Sequence, residues 1–401
     1  MKTSTTATVA IIGAGIGGLT LAIALRRRGI DAQVFEQAPE LVAVGAAVAL
    51  SSNGVRVLEG LGLGERLQEV ATVPTGLIIR HGRSGKPLYQ YGNRAEYRED
   101  FGSNYYGLHR ADLQKVLIDA WGHDRVHLGH RLDSLDEIGE RIRLTFTNGT
   151  EVDADFVVGA DGAKSIVQQH VNGKSYIRYS GQSGFRGLVP TEKVPNLPDP
   201  MAIQFWVGPN GHVLHYAIDG GRTINFLAVI DAPAEWNSPE WVMPGRTLDE
   251  LLGAFDGWHP DVLRMLSAVP VSPRWGLFVR DTLPRWSRGR TVLLGDAAHA
   301  MVPHQGQGAN QTLEDAAALA HAFEDLASTS PETAFGDYER RRRGHTRAVQ
   351  QASWVTGQMM RISDQDDGAD FADTMTRVPD VLQWIHSHDP NQVATTPAAQ
   401  R

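Results

Sequence analysis

Gly13-Ala14-Gly15-Ile16-Gly17-Gly18 spaces its glycines as G-x-G-x-x-G directly after a short, β-branched, apolar run, Ala7–Ile12. This pattern suits phosphate binding. Gly13 permits the sharp turn, Gly15 lets a pyrophosphate approach the backbone, and Gly18 allows the next helix to pack closely on the strand. The N-terminal N–H groups of that helix then face the phosphates. Glu36 ends the second predicted strand, where its carboxylate can accept from ribose hydroxyls. A dinucleotide site is the expectation.

Two later segments narrow the choice of dinucleotide. Val157-Val158-Gly159-Ala160-Asp161-Gly162 reads as a strand running into an Asp-Gly turn, and Val292–His299 as a strand that ends in Asp296. A helix start follows at Gly306-Gln307-Gly308-Ala309-Asn310. An aspartate in that place can reach a polyol chain, and a glycine-rich helix N-terminus can hold a second negatively polarised group. A nicotinamide dinucleotide has no ribityl chain to engage Asp296, so the pattern favours FAD.

The elements that position these residues are legible from periodicity. Leu19–Arg28 reads as a helix closed by Gly29 and Asp31–Glu36 as a strand, completing a β-α-β unit. Asn53–Leu61 and Ala111–Trp121 read as helices. Arg141–Phe146 and Glu151–Val157 alternate with period two around Asn148-Gly149, a hairpin signal. Residues 175–285 change texture, with recurrent proline and glycine and alternating runs Ile203–Val207 and Val213–Ile218 that suggest antiparallel strands. Trp206, Trp236, Trp241, Trp258, Trp275 and Trp286 fall in or beside this stretch; they could line an aromatic cavity, although core and surface packing is the plainer use. Arg290–Leu294 reads as a buried strand, 295–308 as a loop, Ala309–Leu326 and Thr333–Met360 as helices, and the tail after Asp364 as frayed. Arg340–Arg343, on a helix, reads as a solvated face.

The 401-residue chain is 42% hydrophobic and 21% charged, as expected of a soluble globular protein. With 38 basic and 46 acidic residues its net charge is −8, which argues against a nucleic-acid partner. The absence of cysteine excludes disulfides, thiolate nucleophiles and iron–sulfur clusters. His299 with His304, and His386 with His388, lack the carboxylate-supported helical spacing of a metal site, so no metal is expected. The uncharged stretch Thr3–Leu25 is interrupted by glycines and followed, not preceded, by arginines, and Leu41–Leu50 is too short to span a bilayer. No membrane association and a cytoplasmic location are expected.

The ordered motifs, from the glycine turn with Glu36 through His109-Arg110-Ala111-Asp112-Leu113, Gly159–Gly162, Trp286–Arg290, Gly295–His299 and Pro303–Asn310 to Leu313-Glu314-Asp315-Ala316, resemble those of the class A flavoprotein aromatic monooxygenases. This single-component group contains salicylate, 3-hydroxybenzoate and 6-hydroxynicotinate hydroxylases. The resemblance implies a p-hydroxybenzoate-hydroxylase-like α/β fold. A Rossmann-like FAD-binding domain (1–174 and 286–365) would carry an inserted mixed or antiparallel substrate sheet (175–285), C-terminal helices and a tail (366–401). It implies that Glu36 binds the adenosine ribose, Arg110 lies near the pyrophosphate or ribose, Asp296 binds the ribityl chain, and Gly308, Ala309 and Asn310 contact the isoalloxazine.

The same resemblance sets the substrate side. His212, Leu214 and Tyr216 share one face of a strand while His215 points away. His212 and Tyr216 match a substrate-facing pair of the 6-hydroxynicotinate and 3-hydroxybenzoate enzymes, with His212 expected as the base that deprotonates a ring hydroxyl. His304 matches a second active-site histidine, and Arg186 stands at the family's position at the start of the substrate sheet. Two departures stand out. Gln168 replaces the arginine that usually follows Asp-Gly-x-x-Ser-x-Val, and Ala49, in Gly45–Leu50, falls where the 6-hydroxynicotinate enzyme has a histidine. The expected activity is hydroxylation of a small phenolic or hydroxy-heteroaromatic compound with NADH or NADPH and O2, with release of CO2 where the attacked carbon carries a carboxylate. Epoxidation or purine (urate-type) hydroxylation on the same fold is the alternative; a colourless NAD-dependent dehydrogenase or a non-catalytic FAD-fold protein is a more distant one. A monomer or homodimer is expected.

Overall fold

The computed structural model describes residues 8–41, 47–92, 94–231, 236, 241–243, 248–269, 273–363, 371 and 378–390. Val9–Ile12 is wholly buried and pairs in parallel with Ala32–Phe35 on one side and Phe156–Gly159 on the other. Thr291–Leu293 and Val126–His127 extend the sheet in parallel, and Ser287–Arg288 closes one edge antiparallel. Continuous Val/Ile runs suit strands covered on both faces. The helix Ile16–Arg27 is buried at every position from Ile16 to Leu25. It has no polar face because it is wedged between Arg110–Trp121 and Gly308–Asp325 as well as the sheet.

The expected strand Glu151–Val157 is divided. Glu151–Ala154 pairs with Arg141–Phe146 in a small sheet, whereas Phe156–Gly159 enters the parallel sheet. Asp155 is the joint, its carboxylate accepting from the Thr8 N–H at 2.6 Å.

The larger sheet has eight strands in the order Val242–Met243, Arg274–Arg280, Ile177–Pro190, Thr223–Asp231, Gly211–Ile218, Ile203–Gly208, Leu77–His81, Pro87–Tyr91. Its last two strands come from 77–91, outside the inserted stretch 175–285. The strand Leu77–His81 runs parallel to Ile203–Gly208, so the sheet is mixed. A register shift between Tyr179 and Ser183, with Gly181 at φ 82°, kinks the long strand and re-aims Gln182.

Near the C-terminus the expected fraying is not found where the chain is described. Val378–His386 is a helix with Ile385 and His386 buried, and the Arg56 Nη2 donates to the carbonyls of His386 and His388, both at 2.8 Å. Apolar residues at 378, 381, 382 and 385 keep helical spacing, which the polar composition of the tail obscures. The Thr/Pro/Ala-rich end from 391, and Gly45 and Ala46 of the segment that carries Ala49, lie outside the described residues. Among the described residues no helix is long and apolar enough to cross a membrane.

Candidate active site

The glycine turn is a cradle with room in it. Gly13 sits at φ 110° against the Ala160 backbone, and Gly18 packs on the Gly13 carbonyl, so neither tolerates a Cβ. At Gly15 and Gly308 a Cβ would meet nothing within 4 Å. That contrast separates glycines needed for packing from glycines that keep a ligand's path clear. Glu36 accepts from the N–H groups of Ala14 and Ala38, each at 2.9 Å, which fixes its carboxylate beside the turn. Gln114, not singled out in the sequence, donates to the Ala14 carbonyl at 3.0 Å. Arg110 is exposed one helical turn earlier on the same face of the helix Arg110–Trp121.

Asp296 heads the one-turn helix Asp296–His299 with its side chain exposed. The remainder of the expected loop 295–308 is also ordered, as a 3-10 turn Pro303–Gln305 ahead of Gly308–Asp325. Asn310 is buried and its side chain is spent within the protein: it accepts from Ser51 N–H at 3.0 Å and donates to Gly306 and Ala49 carbonyls at 2.9 and 3.2 Å. Only its backbone, with Gly308 and Ala309, is left for a ligand. Asp161 is likewise spent on Ser165, Ile166 and Val167 at the start of the next helix. The departure at Gln168 also has a structural counterpart. Gln168 Oε1 accepts from Arg280 Nη1 at 2.8 Å, and Arg280 Nε donates to the Asp296 carbonyl at 3.0 Å, so an arginine reaches this spot from another strand.

A cavity of about 520 Å³ opens beside Gly306, between the large sheet, the helix Pro331–Met359 and the helix Val378–His386. Tyr216 and His304 lie on its wall with Tyr97, Tyr105 and His386, and most of the remaining wall is aliphatic. The expected alternation on Gly211–Ile218 is present, His215 accepting from Trp206 Nε1 at 3.0 Å on the other face. The structure corrects one placement: His212 is not on the cavity wall. It packs behind it, its ring edge-on to His304 with centroids 5.0 Å apart. Nor do the six tryptophans line the cavity among its described residues; Trp206, Trp258 and Trp286 are core residues.

His304 is held by residues that sequence patterns do not mark. Gln182 Oε1 accepts from His304 Nε2 at 2.9 Å, which leaves Nδ1 as the unprotonated acceptor, buried and without a partner among the described residues. Gly357 lets the long helix pass so close that a Cβ there would collide with the imidazole. Burial, reinforced by the charge of Arg361, pushes the His304 pKa down to about 3. Burial and then the neighbouring His304 hold His212 well below the ordinary range, so both rings are neutral. Tyr216 is raised by burial and by Tyr105, against the opposing charge of Arg186. Arg186 itself is lowered by burial, with Tyr216 opposing the shift and Arg110 adding to it.

Beneath the site is a charge network that the Arg340–Arg343 run concealed. Arg342 is fully buried rather than solvated, because a helix turns successive side chains to different faces. It donates to Asp315 Oδ1 and Gln311 Oε1, both at 2.7 Å, and pairs with Glu314. Asp315 also accepts from Gly295 N–H at 3.0 Å and His299 at 2.5 Å, and Glu314 from Asn53 and His388, both at 2.5 Å. Burial pushes Glu314 up, but Arg342 and His388 outweigh it and hold the carboxyl down at about 2. Among the described residues, His388 joins Glu314 and His345 with ligand atoms within 4.8 Å of one another. Arg342 already places a positive charge on that carboxylate, where a cation would have to sit.

Comparison with known proteins finds flavoproteins. The family described as FAD binding domain matches residues 6–353, and the chain belongs to it. Within that family it belongs with the class A FAD-dependent aromatic monooxygenases, and is a flavin-dependent monooxygenase. It is 40% identical over 382 residues, 94% of each chain, to a 3-amino-4-hydroxybenzoate 2-monooxygenase of Streptomyces cremeus. It is 32% identical to a 6-hydroxynicotinate 3-monooxygenase of Pseudomonas fluorescens, over 86% of this chain and 90% of the relative. Among solved structures, Klebsiella pneumoniae HpxO complexed with FAD and uric acid superposes with a TM-score of 0.82 at 27% identity, covering 95% of this chain and 97% of that one. The p-hydroxybenzoate-hydroxylase-like fold and FAD as cofactor stand on these likenesses together with the cradle.

Proposed function

We propose that the chain hydroxylates a small phenolic or hydroxy-heteroaromatic compound, using NADH or NADPH and O2, with amino- or hydroxybenzoates as the substrates its relatives favour. The observation that carries this reading is the neutral His304, which lines a cavity that reaches Gly306, just ahead of the helix Gly308–Asp325, and whose buried Nδ1 has no partner among the described residues. In this reading the FAD-binding unit is formed from 1–174 and 286–365, with 77–91 lent to the substrate sheet. Glu36 holds the adenosine ribose, Arg110 and the turn Gly13–Gly18 the pyrophosphate, and Asp296 the ribityl chain. The backbone of Gly308, Ala309 and Asn310 faces the isoalloxazine. Bound FAD supplies the redox chemistry with O2.

The chain's own residues then position and activate the ring. Aliphatic walls exclude water and His304 Nδ1 accepts the proton of a ring hydroxyl, raising electron density at the carbon to be attacked. A phenolate formed beside it raises the histidine's own pKa, so the transfer builds a close ion pair. Gln182 and His212 hold the imidazole in place. Tyr216, kept protonated, hydrogen-bonds the developing oxyanion, with Arg186 behind it. Hydroxybenzoates, aminophenols and hydroxypyridines assayed for stimulated NAD(P)H oxidation coupled to hydroxylated product test the reading. Failure of every phenol to stimulate oxidation overturns it.

The ribityl assignment has its own measure. Asp296→Ala removes one charge-assisted hydrogen bond and is expected to weaken FAD about ten- to a hundredfold while leaving the fold unchanged. Titration of apoprotein with FAD reads this, and unchanged affinity removes Asp296 from the cofactor site.

A further inference from the structure

The C-terminal helix contributes more than a wall. Its inner face, Val378, Val381 and Leu382, is apolar, and His386 completes it as a polar side chain on the same cavity. His386 is 3% exposed and its ring is enclosed by Tyr97, Phe101 and Tyr105, with centroids at 5.8, 5.4 and 6.1 Å. Its backbone is pinned independently, by Arg56 on its carbonyl.

The hydrogen-bond chain fixes which nitrogen carries the proton. Ser52 N–H donates to the Tyr97 hydroxyl at 3.1 Å, and that hydroxyl meets His386 Nδ1 at 2.9 Å. A hydroxyl has one proton to give, and the arrangement that leaves no buried proton unused has Tyr97 donating to Nδ1. The neutral ring therefore carries its proton on Nε2. Burial, reinforced by the positive charge of the neighbouring Arg56, disfavours a second proton.

We propose that His386 is a substrate-recognition residue whose Nε2–H donates to an oxygen acceptor, a carboxylate or carbonyl, borne by the aromatic substrate. The proposal rests on the hydroxylase reading above and extends it. His304 handles the ring hydroxyl, and a second histidine, delivered by the C-terminal segment, reads a substituent elsewhere on the same molecule. Tyr97 is its positioning residue. Selectivity for acceptor-bearing aromatics is thus supplied from outside the FAD-binding family match, which ends at residue 353.

The test uses the oxidised holoenzyme and three probes: 3-amino-4-hydroxybenzoate, its neutral 4-hydroxy-3-aminobenzamide analogue, and 2-aminophenol, which lacks the acceptor. Binding is read from the perturbation of flavin absorbance. Wild type should bind the acid and the amide more tightly than 2-aminophenol. His386→Phe should lose about tenfold on the acid and the amide, with 2-aminophenol nearly unaffected. His386→Gln, which restores an amide donor, should recover most of the loss, and Tyr97→Phe should show a smaller one. Loss confined to the acid would assign the acceptor as a carboxylate; equal loss on acid and amide would assign a carbonyl oxygen of either kind. Equal loss on all three probes, or a wild type that does not distinguish them, overturns the proposal. Retained flavin absorbance in each variant confirms folding. Product-coupled NAD(P)H oxidation is scored separately, so selective binding without turnover would overturn the hydroxylase reading and leave the binding site standing.

Discussion

His304→Ala is expected to slow hydroxylation by roughly a hundred- to ten-thousand-fold, the usual contribution of a positioned general base. FAD should stay bound, since His304 lies on the cavity and not on the glycine turn. Reduction by NAD(P)H should continue, with the reducing equivalents lost to hydrogen peroxide rather than product. The defect should shrink as pH rises, because the substrate hydroxyl then ionises unaided; a ring that served packing alone would show no such rescue. His212→Ala should produce a smaller loss, as that ring supports His304 from behind. Tyr216→Phe should be milder than His304→Ala, removing one hydrogen bond while keeping the aromatic ring. The measurement is product formed per NAD(P)H consumed across a pH series. Wild-type rate and coupling in His304→Ala would remove His304 from the chemistry.

The cofactor cradle was legible because phosphate binding constrains backbone, and backbone constraints leave glycines at fixed spacing. Gly13, Gly15 and Gly18 follow from that logic, and Glu36 is fixed beside the turn by the N–H groups of Ala14 and Ala38. The substrate side was only half legible. Alternation on a strand places His212 and Tyr216 on one face, but it cannot say that His304 stands in front of His212, because that order depends on a turn brought in from ninety residues away. Gln182 owes its place to a strand bulge, and Gly357 to a helix crossing, neither of which has a local signature. Asn310 illustrates the converse. Its motif position points to a ligand contact that its backbone can still make, while its side chain staples Ala49 and Ser51 to the helix Gly308–Asp325.

Arg342→Met is expected to destabilise the protein by about 3–5 kcal/mol near neutral pH, although methionine nearly fills the vacated volume. The cost is electrostatic. Glu314 and Asp315 are fully buried, and in the native protein Arg342 lies between them. Without it two carboxylates share a low-dielectric site with His299 and His388 and the neutral donors Gly295 N–H and Asn53. Their pKa values must rise, so the sign of the pH dependence follows. The wild-type pair, held below the ordinary carboxylate range, gives stability that is present above about pH 4.5 and is lost as pH falls toward about 2. In the variant the penalty is largest at neutral pH and is relieved on acidification, as the carboxylates take up protons. The stability gap between wild type and variant should therefore narrow from pH 7 to pH 5. Adding Glu314→Gln to Arg342→Met should recover part of the loss by removing one of the unpaired charges. Urea unfolding of the three proteins at the two pH values decides it. A gap below about 1 kcal/mol at pH 7, typical of a surface pair, would mean that the buried network contributes little. The same network joins the Asp296 loop, the cofactor helix and the segment that carries His386. Loosening it should therefore weaken FAD retention and substrate discrimination together.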